Sequence, residues 1–216
     1  DYARTPKMSD IHEFGYFWKY WLEKQTVEDI VQSKSREEQI NWKMIKNILA
    51  TLQKETNRPF VFKNIYGSYH MEKMVSILKK VIWVYIERDH LDTAVSILNA
   101  RKKYNTDLNI WWSYYPLEYN EIKDMDYWSQ IAGQIHYLQK FYKDEFEKLP
   151  QENYLKVTYE EMCKTPNSIV DKIKDKCTAH GFEIPLANKV PESFLYKTYD
   201  ESETEKRNFR NRFEQF

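Results

Sequence analysis

Four polar residues, Arg88, Asp89, Asp92 and Ser96, stand at a spacing that suits the binding of a phosphate group. They follow an apolar run at residues 81–86, and apolar residues repeat between them with the period of an amphipathic helix. We therefore expect Asp89 to cap a helix that carries Ser96 on its polar face. An arginine, helix N-terminal amides and a hydroxyl group together can hold a phosphate. The plainer alternative is a surface arginine paired with Asp89 or Asp92.

A parallel sheet is the element that would position these residues. Three apolar runs predict its strands, at residues 60–62, 81–86 and 154–159. Helices are predicted by periodic apolar segments at residues 13–24, 36–55, 71–78, 91–98, 127–148 and 166–180. This alternation predicts an α/β fold, a parallel sheet flanked by helices, with the run 81–86 buried on both faces. Ligands of such sheets bind beyond the carboxyl ends of the strands, where Lys63, Arg88 and Tyr159 would lie.

The segment between residues 104 and 128 is rich in tyrosine and tryptophan and has no clear period. We expect an irregular segment that contains one short helix. Its aromatic side chains could wall an acceptor pocket, because aromatic faces suit sugars, phenols and apolar groups. The alternative is a lid that packs on the sheet.

The composition narrows the class of protein. Lysine and arginine number 33 and aspartate and glutamate number 33 among 216 residues, and a net charge of zero disfavours a nucleic-acid binder. The apolar runs are too short to span a membrane, and the histidines and cysteines show no metal-ligand spacing. Cys163 and Cys177 are separated along a predicted helix by too great a distance for a disulfide. Reduced thiols suit a reducing compartment, so we expect a cytoplasmic protein.

Residues 84–96 resemble the segment with which sulfotransferases that use 3′-phosphoadenosine 5′-phosphosulfate (PAPS) bind the 3′-phosphate of that co-substrate. Arg88, Asp89, Asp92 and Ser96 match the family pattern, and His90 stands where proline is usual. Two further segments resemble the family in the same order. The first is the predicted strand at residues 154–158, which is followed by Tyr-Glu-Glu-Met and by a Thr-Pro pair at the start of a helix. The second is the run at residues 60–64, which ends in Lys-Asn. The resemblance covers residues 58–182.

The resemblance implies a P-loop NTPase-like sulfotransferase fold and roles for named residues. Arg88, Ser96 and Tyr159 would bind the nucleotide, and Lys63 would offset the charge that develops on the leaving phosphate. The acceptor proton would be taken by Glu13 or His12, which lie before an aromatic run. Their plainer interpretation is a solvated helix start.

The basic residues near the C-terminus, Arg207 and Arg210, resemble the loop that closes over PAPS in the family. A solvated helix is the alternative for them. His70 lies within a predicted helix, and we do not expect it to be the catalytic base. The acceptor would be a hydroxyl or amine of a small molecule or carbohydrate, and the reaction needs no metal.

The family's glycine-containing loop for the 5′-phosphosulfate has no counterpart here, because the four glycines, at positions 15, 67, 133 and 181, are far apart. We expect the chain either to begin after that loop or to have lost it. We also expect one domain over residues 1–216, made of an N-terminal helical part (1–57), a nucleotide-binding core (58–182) and a C-terminal tail or lid (183–216).

Three rivals to the enzyme stay open. The first is a module that binds the nucleotide without catalysis, and the second is a nucleotide phosphotransferase, although no Walker-type loop is visible. The third is a homo-oligomeric scaffold.

Overall fold

A small parallel sheet of two strands and a larger number of helices make up the computed structural model, which describes residues 14–57, 59–185, 189–199 and 203–216. The mixed α/β class is therefore confirmed, while the P-loop-like topology stays a prediction. The chain divides into a first unit, residues 1–79, and a second unit, residues 80–216. The single domain and its three predicted parts stay predictions.

The first unit is helical where it is described. Its helices are α1 (Gly15–Trp21), α2 (Val27–Val31), α3 (Trp42–Thr56) and α4 (Met71–Leu78), with short 3-10 helices at Glu37–Gln39 and Gly67–His70. Helix α3 begins later than predicted because the Asn41 side chain accepts a hydrogen bond from the Met44 amide and caps the helix there. The core of this unit is built from large side chains that include Trp18, Leu22 and Ile45.

The predicted strand at residues 60–62 is wrong, since this segment has no regular secondary structure and pairs with no described strand. Aromatic packing holds it instead. The rings of Phe60 and Phe62 stack with centroids 5.8 Å apart, and Phe62 makes edge contacts with Phe14 and Trp18 at 5.6 and 5.2 Å. Phe60 and Val61 nevertheless remain 37% and 87% exposed, so the ring contacts cover this apolar triplet only in part.

The second unit contains both strands, β1 (Trp83–Glu87) and β2 (Tyr154–Thr158), paired in parallel with Trp83 opposite Tyr154 and Glu87 opposite Thr158. One face of this sheet packs on α7 (Tyr127–Glu147). The Tyr85 ring lies 5.4 Å from that of Phe146. These two strands were predicted, and each begins or ends within two residues of its expected place.

The prediction that the first of these strands is buried on both faces is wrong. Val84 and Ile86 remain 40% and 44% exposed. Side chains alternate along a strand, so these two lie on the face opposite Tyr85, away from α7. Strand β1 pairs only with β2 among the described strands, and this small sheet is not covered evenly on its two sides.

The other helices of the second unit are α5 (His90–Tyr104), α6 (Tyr119–Ile122), α8 (Tyr159–Lys164), α9 (Pro166–Ala179) and α10 (Glu203–Phe213). A core forms where α5, α7 and α10 meet, and Phe209 of α10 is fully buried there among aliphatic side chains of α5 and α7, Ala94, Val95, Leu98, Ile131 and Ile135. The C-terminal helix is therefore an integral part of this core.

The aromatic segment between α5 and α7 is irregular with one short helix, α6, as predicted. It is anchored by a fully buried arginine, Arg101. The Arg101 guanidinium donates to the Leu108 carbonyl at 2.8 Å and to Oε1 of Gln130 at 2.7 Å, and it lies over the Trp111 ring. The side chain of Gln134 donates to the Trp112 carbonyl at 3.0 Å. These contacts fasten the segment to the two helices that flank it.

Both cysteines, Cys163 and Cys177, are free and buried, so the prediction of unbridged structural thiols is confirmed. Among the described helices, none has the length and apolar character needed to cross a membrane.

Candidate functional site

The site begins where β1 ends and α5 starts. Arg88 follows the last residue of the strand, and Asp89 caps the helix by accepting a hydrogen bond from the Asp92 amide at 2.9 Å. The Thr93 hydroxyl also donates to the Asp89 carbonyl at 2.7 Å. The predicted cap is confirmed, and it fixes the backbone on both sides of Arg88 so that the guanidinium projects from a rigid corner.

The Arg88 guanidinium contacts the faces of two aromatic rings. It lies 4.8 Å from the ring centroid of Tyr159 and 5.5 Å from that of Tyr199. One of its terminal nitrogens donates to the Lys197 carbonyl at 2.8 Å and lies 4.0 Å from a carboxylate oxygen of Asp92. Its Nε is buried and has no hydrogen-bond partner within the described structure. A buried donor without a partner is costly, and an acceptor oxygen that reached it would remove that cost.

Tyr199 joins Arg88 to Ser96. While its ring lies under the guanidinium, its hydroxyl donates to the Ser96 Oγ at 3.3 Å. This hydrogen bond and the cations Lys197 and Arg88 hold the pKa of the Tyr199 hydroxyl below its usual value. A serine hydroxyl can accept this bond and still donate its own hydrogen elsewhere. Ser96 therefore keeps a donor for a ligand.

The sheet register explains why Tyr159 meets Arg88. Thr158 at the end of β2 pairs with Glu87 at the end of β1, so the residues that follow each strand emerge side by side. Thr158 also caps α8, since its Oγ1 accepts from the Glu161 amide at 3.0 Å and its own amide donates to the Glu161 carboxylate. Tyr159 is thereby fixed at the start of that helix, and its ring lies 5.6 Å from that of Tyr196.

We name Arg88, Ser96, Tyr159, Lys197 and Tyr199 the Arg88 cluster. Three of its members were singled out from the sequence, and the structure brings these three together. Lys197 and Tyr199 were missed because they lie more than a hundred residues beyond Arg88 and no spacing links them to it. Only the two tyrosines and one lysine at residues 196–199 set that segment apart in the sequence.

The other predicted residues lie elsewhere. Arg207 and Arg210 are exposed on α10 and take no part in the described contacts of the Arg88 cluster. Lys63 is exposed in the first unit, directly after the aromatic segment at residues 60–62. His12 and Glu13 lie outside the described residues. The roles of these five residues stay predictions.

His70 is fully buried in the first unit, with its Nδ1 2.8 Å from a carboxylate oxygen of Glu37 and its ring 5.5 Å from that of Trp42. Burial lowers the pKa of His70, and the hydrogen bond with Glu37 offsets part of that change. The ring is therefore enclosed in the described structure, and its exclusion as a base stays a prediction.

Comparisons of the chain with protein-family models, with curated proteins and with solved structures found no match. The residues of the Arg88 cluster therefore carry the functional proposal. No group of three histidine, cysteine, aspartate or glutamate side chains is arranged to hold a metal ion in the part of the chain that the structure describes.

The chemistry of the Arg88 cluster suits an anion with several oxygens. It combines a guanidinium fixed by two rings, a hydroxyl with a remaining donor, and the N-terminal end of a helix of 15 residues. It lies at the carboxyl ends of two parallel strands, where α/β proteins bind ligands.

Proposed function

We propose that the chain is the nucleotide-binding part of a PAPS-dependent sulfotransferase, and that the Arg88 cluster binds the 3′-phosphate of the nucleotide. The main support for this proposal is that Tyr199 contacts both Arg88 and Ser96 near the start of α5. Its ring lies 5.5 Å from the Arg88 guanidinium, and its hydroxyl donates to the Ser96 Oγ. The family resemblance of residues 84–96 assigns the same two residues to the 3′-phosphate. The structural support is the placement of the residues, and the assignment to this ligand comes from the resemblance.

In the proposed reaction a hydroxyl or amine of a small molecule or carbohydrate attacks the sulfur atom of PAPS. The bond between sulfur and the bridging oxygen of the 5′-phosphate breaks, and adenosine 3′,5′-bisphosphate leaves with the electron pair. Glu13 or His12 takes the proton of the acceptor. Lys63 offsets the charge that develops on the bridging oxygen. Arg207 and Arg210 add positive charge around the bound nucleotide.

The proposed site keeps hydrogen-bond donors for a phosphate. Arg88 uses one of its five N–H donors on the Lys197 carbonyl, so most of the guanidinium donors remain for phosphate oxygens. Tyr159 and Tyr199 restrict the guanidinium by stacking, which lowers the entropy that binding would otherwise cost.

Calorimetric titration with two nucleotides tests the proposal. Adenosine 3′,5′-bisphosphate and adenosine 5′-phosphate differ only in the group assigned to Arg88. We expect Arg88→Ala to weaken the bisphosphate by about ten- to hundredfold, because a hydrogen bond to a charged group contributes ~1.5–3 kcal/mol. The affinity for the monophosphate should change little.

Lys103→Ala is the matched control, since Lys103 is a cation on the same helix whose ammonium lies 5.1 Å from the Tyr104 ring, outside the Arg88 cluster. It should leave both affinities nearly unchanged. If wild-type protein binds neither nucleotide, or if Arg88→Ala weakens both equally, the assignment is wrong. Binding of the bisphosphate with no detectable sulfonate transfer would favour the non-catalytic module, whereas slow transfer would support the enzyme.

A further inference from the structure

A cleft of about 390 Å³ lies in the first unit, and none of the residues that line it belongs to the Arg88 cluster. Its volume falls in the range of small-molecule sites. Two aromatic and five polar side chains line it: Tyr20, Trp21, Glu23, Gln25, Asp29, Arg36 and Asn41. The lining comes from the end of α1, the turn after it, α2, and the loop that leads into α3.

A left-handed turn shapes the cleft. Glu23 has φ of 55°, and the following amide, that of Lys24, donates to the Lys19 carbonyl at 2.8 Å. The Glu23 amide donates to the Tyr20 carbonyl at 3.1 Å. A non-glycine residue held at positive φ is uncommon, and such residues occur more often at functional sites. Here the turn reverses the chain so that Glu23 and Gln25 share a cleft with Tyr20.

The aromatic part of the lining offers an apolar surface that solvent can reach. Tyr20 is 65% exposed, and its ring lies 5.1 Å from that of Trp21 at an angle of 88°. Rings of this kind present both an apolar face and a polar group. They can pack against the C–H face of a pyranose ring, which pure hydrogen-bonding sites cannot do.

The polar part of the lining is ordered but keeps groups for a ligand. Asp29 accepts from the Thr26 amide at 2.8 Å and from the Arg36 guanidinium, which fixes both charged side chains. Gln25 uses its Nε2 on the Lys19 carbonyl, and this leaves its Oε1 as an acceptor among the described contacts. Asn41 uses its Oδ1 to cap α3, and this leaves its amide hydrogens as donors.

The charged side chains of the cleft are offset within the protein. Of its lining residues, Glu23 and Asp29 are negative and Arg36, which pairs with Asp29, is positive. The buried Lys24 is not a lining residue, but its ammonium interacts with Glu23 and Asp29 and lies 3.4 Å from the Asp29 carbonyl oxygen. A site for an anion or a cation would carry a net charge of the opposite sign. Balanced charge, planar amide and carboxylate groups and an aromatic surface instead suit a neutral ligand with many hydroxyl groups.

We propose that this cleft binds a neutral saccharide, with the sugar ring against Tyr20 and Trp21 and its hydroxyl groups on Glu23, Gln25 and Asn41. The proposal is independent of sulfonate transfer and of nucleotide binding. It would hold for a protein with no enzymatic activity.

Saturation-transfer NMR on the full chain tests it, with the methyl glycosides of glucose, galactose, mannose and N-acetylglucosamine as probes. Glucuronate and glucosamine serve as the charged counterparts. We expect at least one neutral glycoside to receive saturation and to bind more tightly than both charged sugars. Tyr20→Ala should weaken that glycoside by about tenfold, as the loss of an aromatic contact of ~0.5–1.5 kcal/mol and its buried area implies.

Tyr16→Ala is the matched control, because Tyr16 is a 93% exposed tyrosine on the same helix that does not line the cleft. It should leave binding unchanged. Glu23→Gln and Asn41→Asp should each weaken the sugar, and Asn41→Asp keeps the helix cap, so the fold is preserved. The proposal is overturned if no neutral glycoside binds, if a charged sugar binds more tightly, or if Tyr16→Ala weakens binding as much as Tyr20→Ala.

Discussion

Lys24 shows how one side chain can oppose the stability of the unit that contains it. It is only 1% exposed, and its described hydrogen bond, to the Asp29 carbonyl, is long at 3.4 Å. Burial, aided by the nearby Arg36, lowers the pKa of its ammonium group to about 8, while Asp29 and Glu23 offset part of this change. An ammonium with such modest compensation is expensive to bury.

We expect Lys24→Met to raise the free energy of unfolding by about 1–3 kcal/mol near pH 7, because an apolar chain of similar length replaces a buried charge. The gain should shrink as pH rises from about 8 towards 10.5, the ordinary pKa of lysine. In that range the unfolded chain holds a proton that the folded chain has lost, so the wild-type protein becomes more stable with pH.

Urea unfolding of both proteins at pH 7, 8 and 9.5 measures this difference. A constant gap between the two proteins across the range would contradict the shifted pKa. A destabilised Lys24→Met would show that the ammonium makes contacts stronger than its one long hydrogen bond.

Residues of the candidate site could be predicted from the sequence where they lie close to one another along the chain. Arg88, Asp89 and Ser96 lie within nine positions of one another, and helix periodicity alone places them on one corner of the fold. Tyr199 contacts them only because of the tertiary fold, and such a long-range contact cannot be inferred from residue spacing in the sequence. The cleft at Tyr20 was missed for the same reason. It depends on a left-handed turn at Glu23, and glycine and asparagine, the residues that usually indicate such a turn in a sequence, are absent there.

At the scale of elements, periodic helices and β-branched runs were predicted well. Strands β1 and β2 and helices α4, α5 and α7 lie where apolar patterns place them. The error at residues 60–62 has a physical cause, since whether an extended segment becomes a strand depends on a partner elsewhere in the chain. A short apolar run shows neither whether a segment pairs in a sheet nor how far it is buried, since Val61 is 87% exposed and Ile86 of β1 is 44% exposed.

Helix α10 packs into the core of the second unit, although the sequence predicted a C-terminal tail or lid there. Its Phe209 is fully buried between α5 and α7. We expect Phe209→Ala to lower the free energy of unfolding by about 3–5 kcal/mol, because truncation of a buried aromatic ring leaves a cavity. Denaturant unfolding followed by circular dichroism measures the change.

Arg210→Ala is the control on the same helix, one position away and exposed. It should alter stability by less than about 0.5 kcal/mol. If the two variants have similar stability, α10 is not anchored through Phe209, and a lid that opens at Arg207 and Arg210 becomes the better description of this segment.

At the scale of the whole molecule, the proposed roles divide between two units. The Arg88 cluster belongs to the second unit, and Lys63, with Glu13 and His12, belongs to the first. The proposal therefore makes nucleotide affinity a property of the second unit, and it assigns Lys63, Glu13 and His12 to the transfer step alone. Lys63→Ala should leave the affinity for adenosine 3′,5′-bisphosphate nearly unchanged, whereas Arg88→Ala should not.

The 216-residue chain should bind the bisphosphate yet transfer sulfonate slowly. None of its four glycines, at 15, 67, 133 and 181, lies near enough to another to form a loop that surrounds a phosphosulfate with backbone amides. The loss of even one preorganised donor to a developing oxyanion costs on the order of 10²–10³ in rate.

A coupled assay with PAPS and a panel of phenols and sugars measures transfer, and calorimetry on the same sample shows whether the nucleotide binds. Binding with slow transfer is the expected result. Rapid turnover by this chain would mean that other residues hold the sulfonate, and Lys63→Ala would then show whether the first unit supplies one of them.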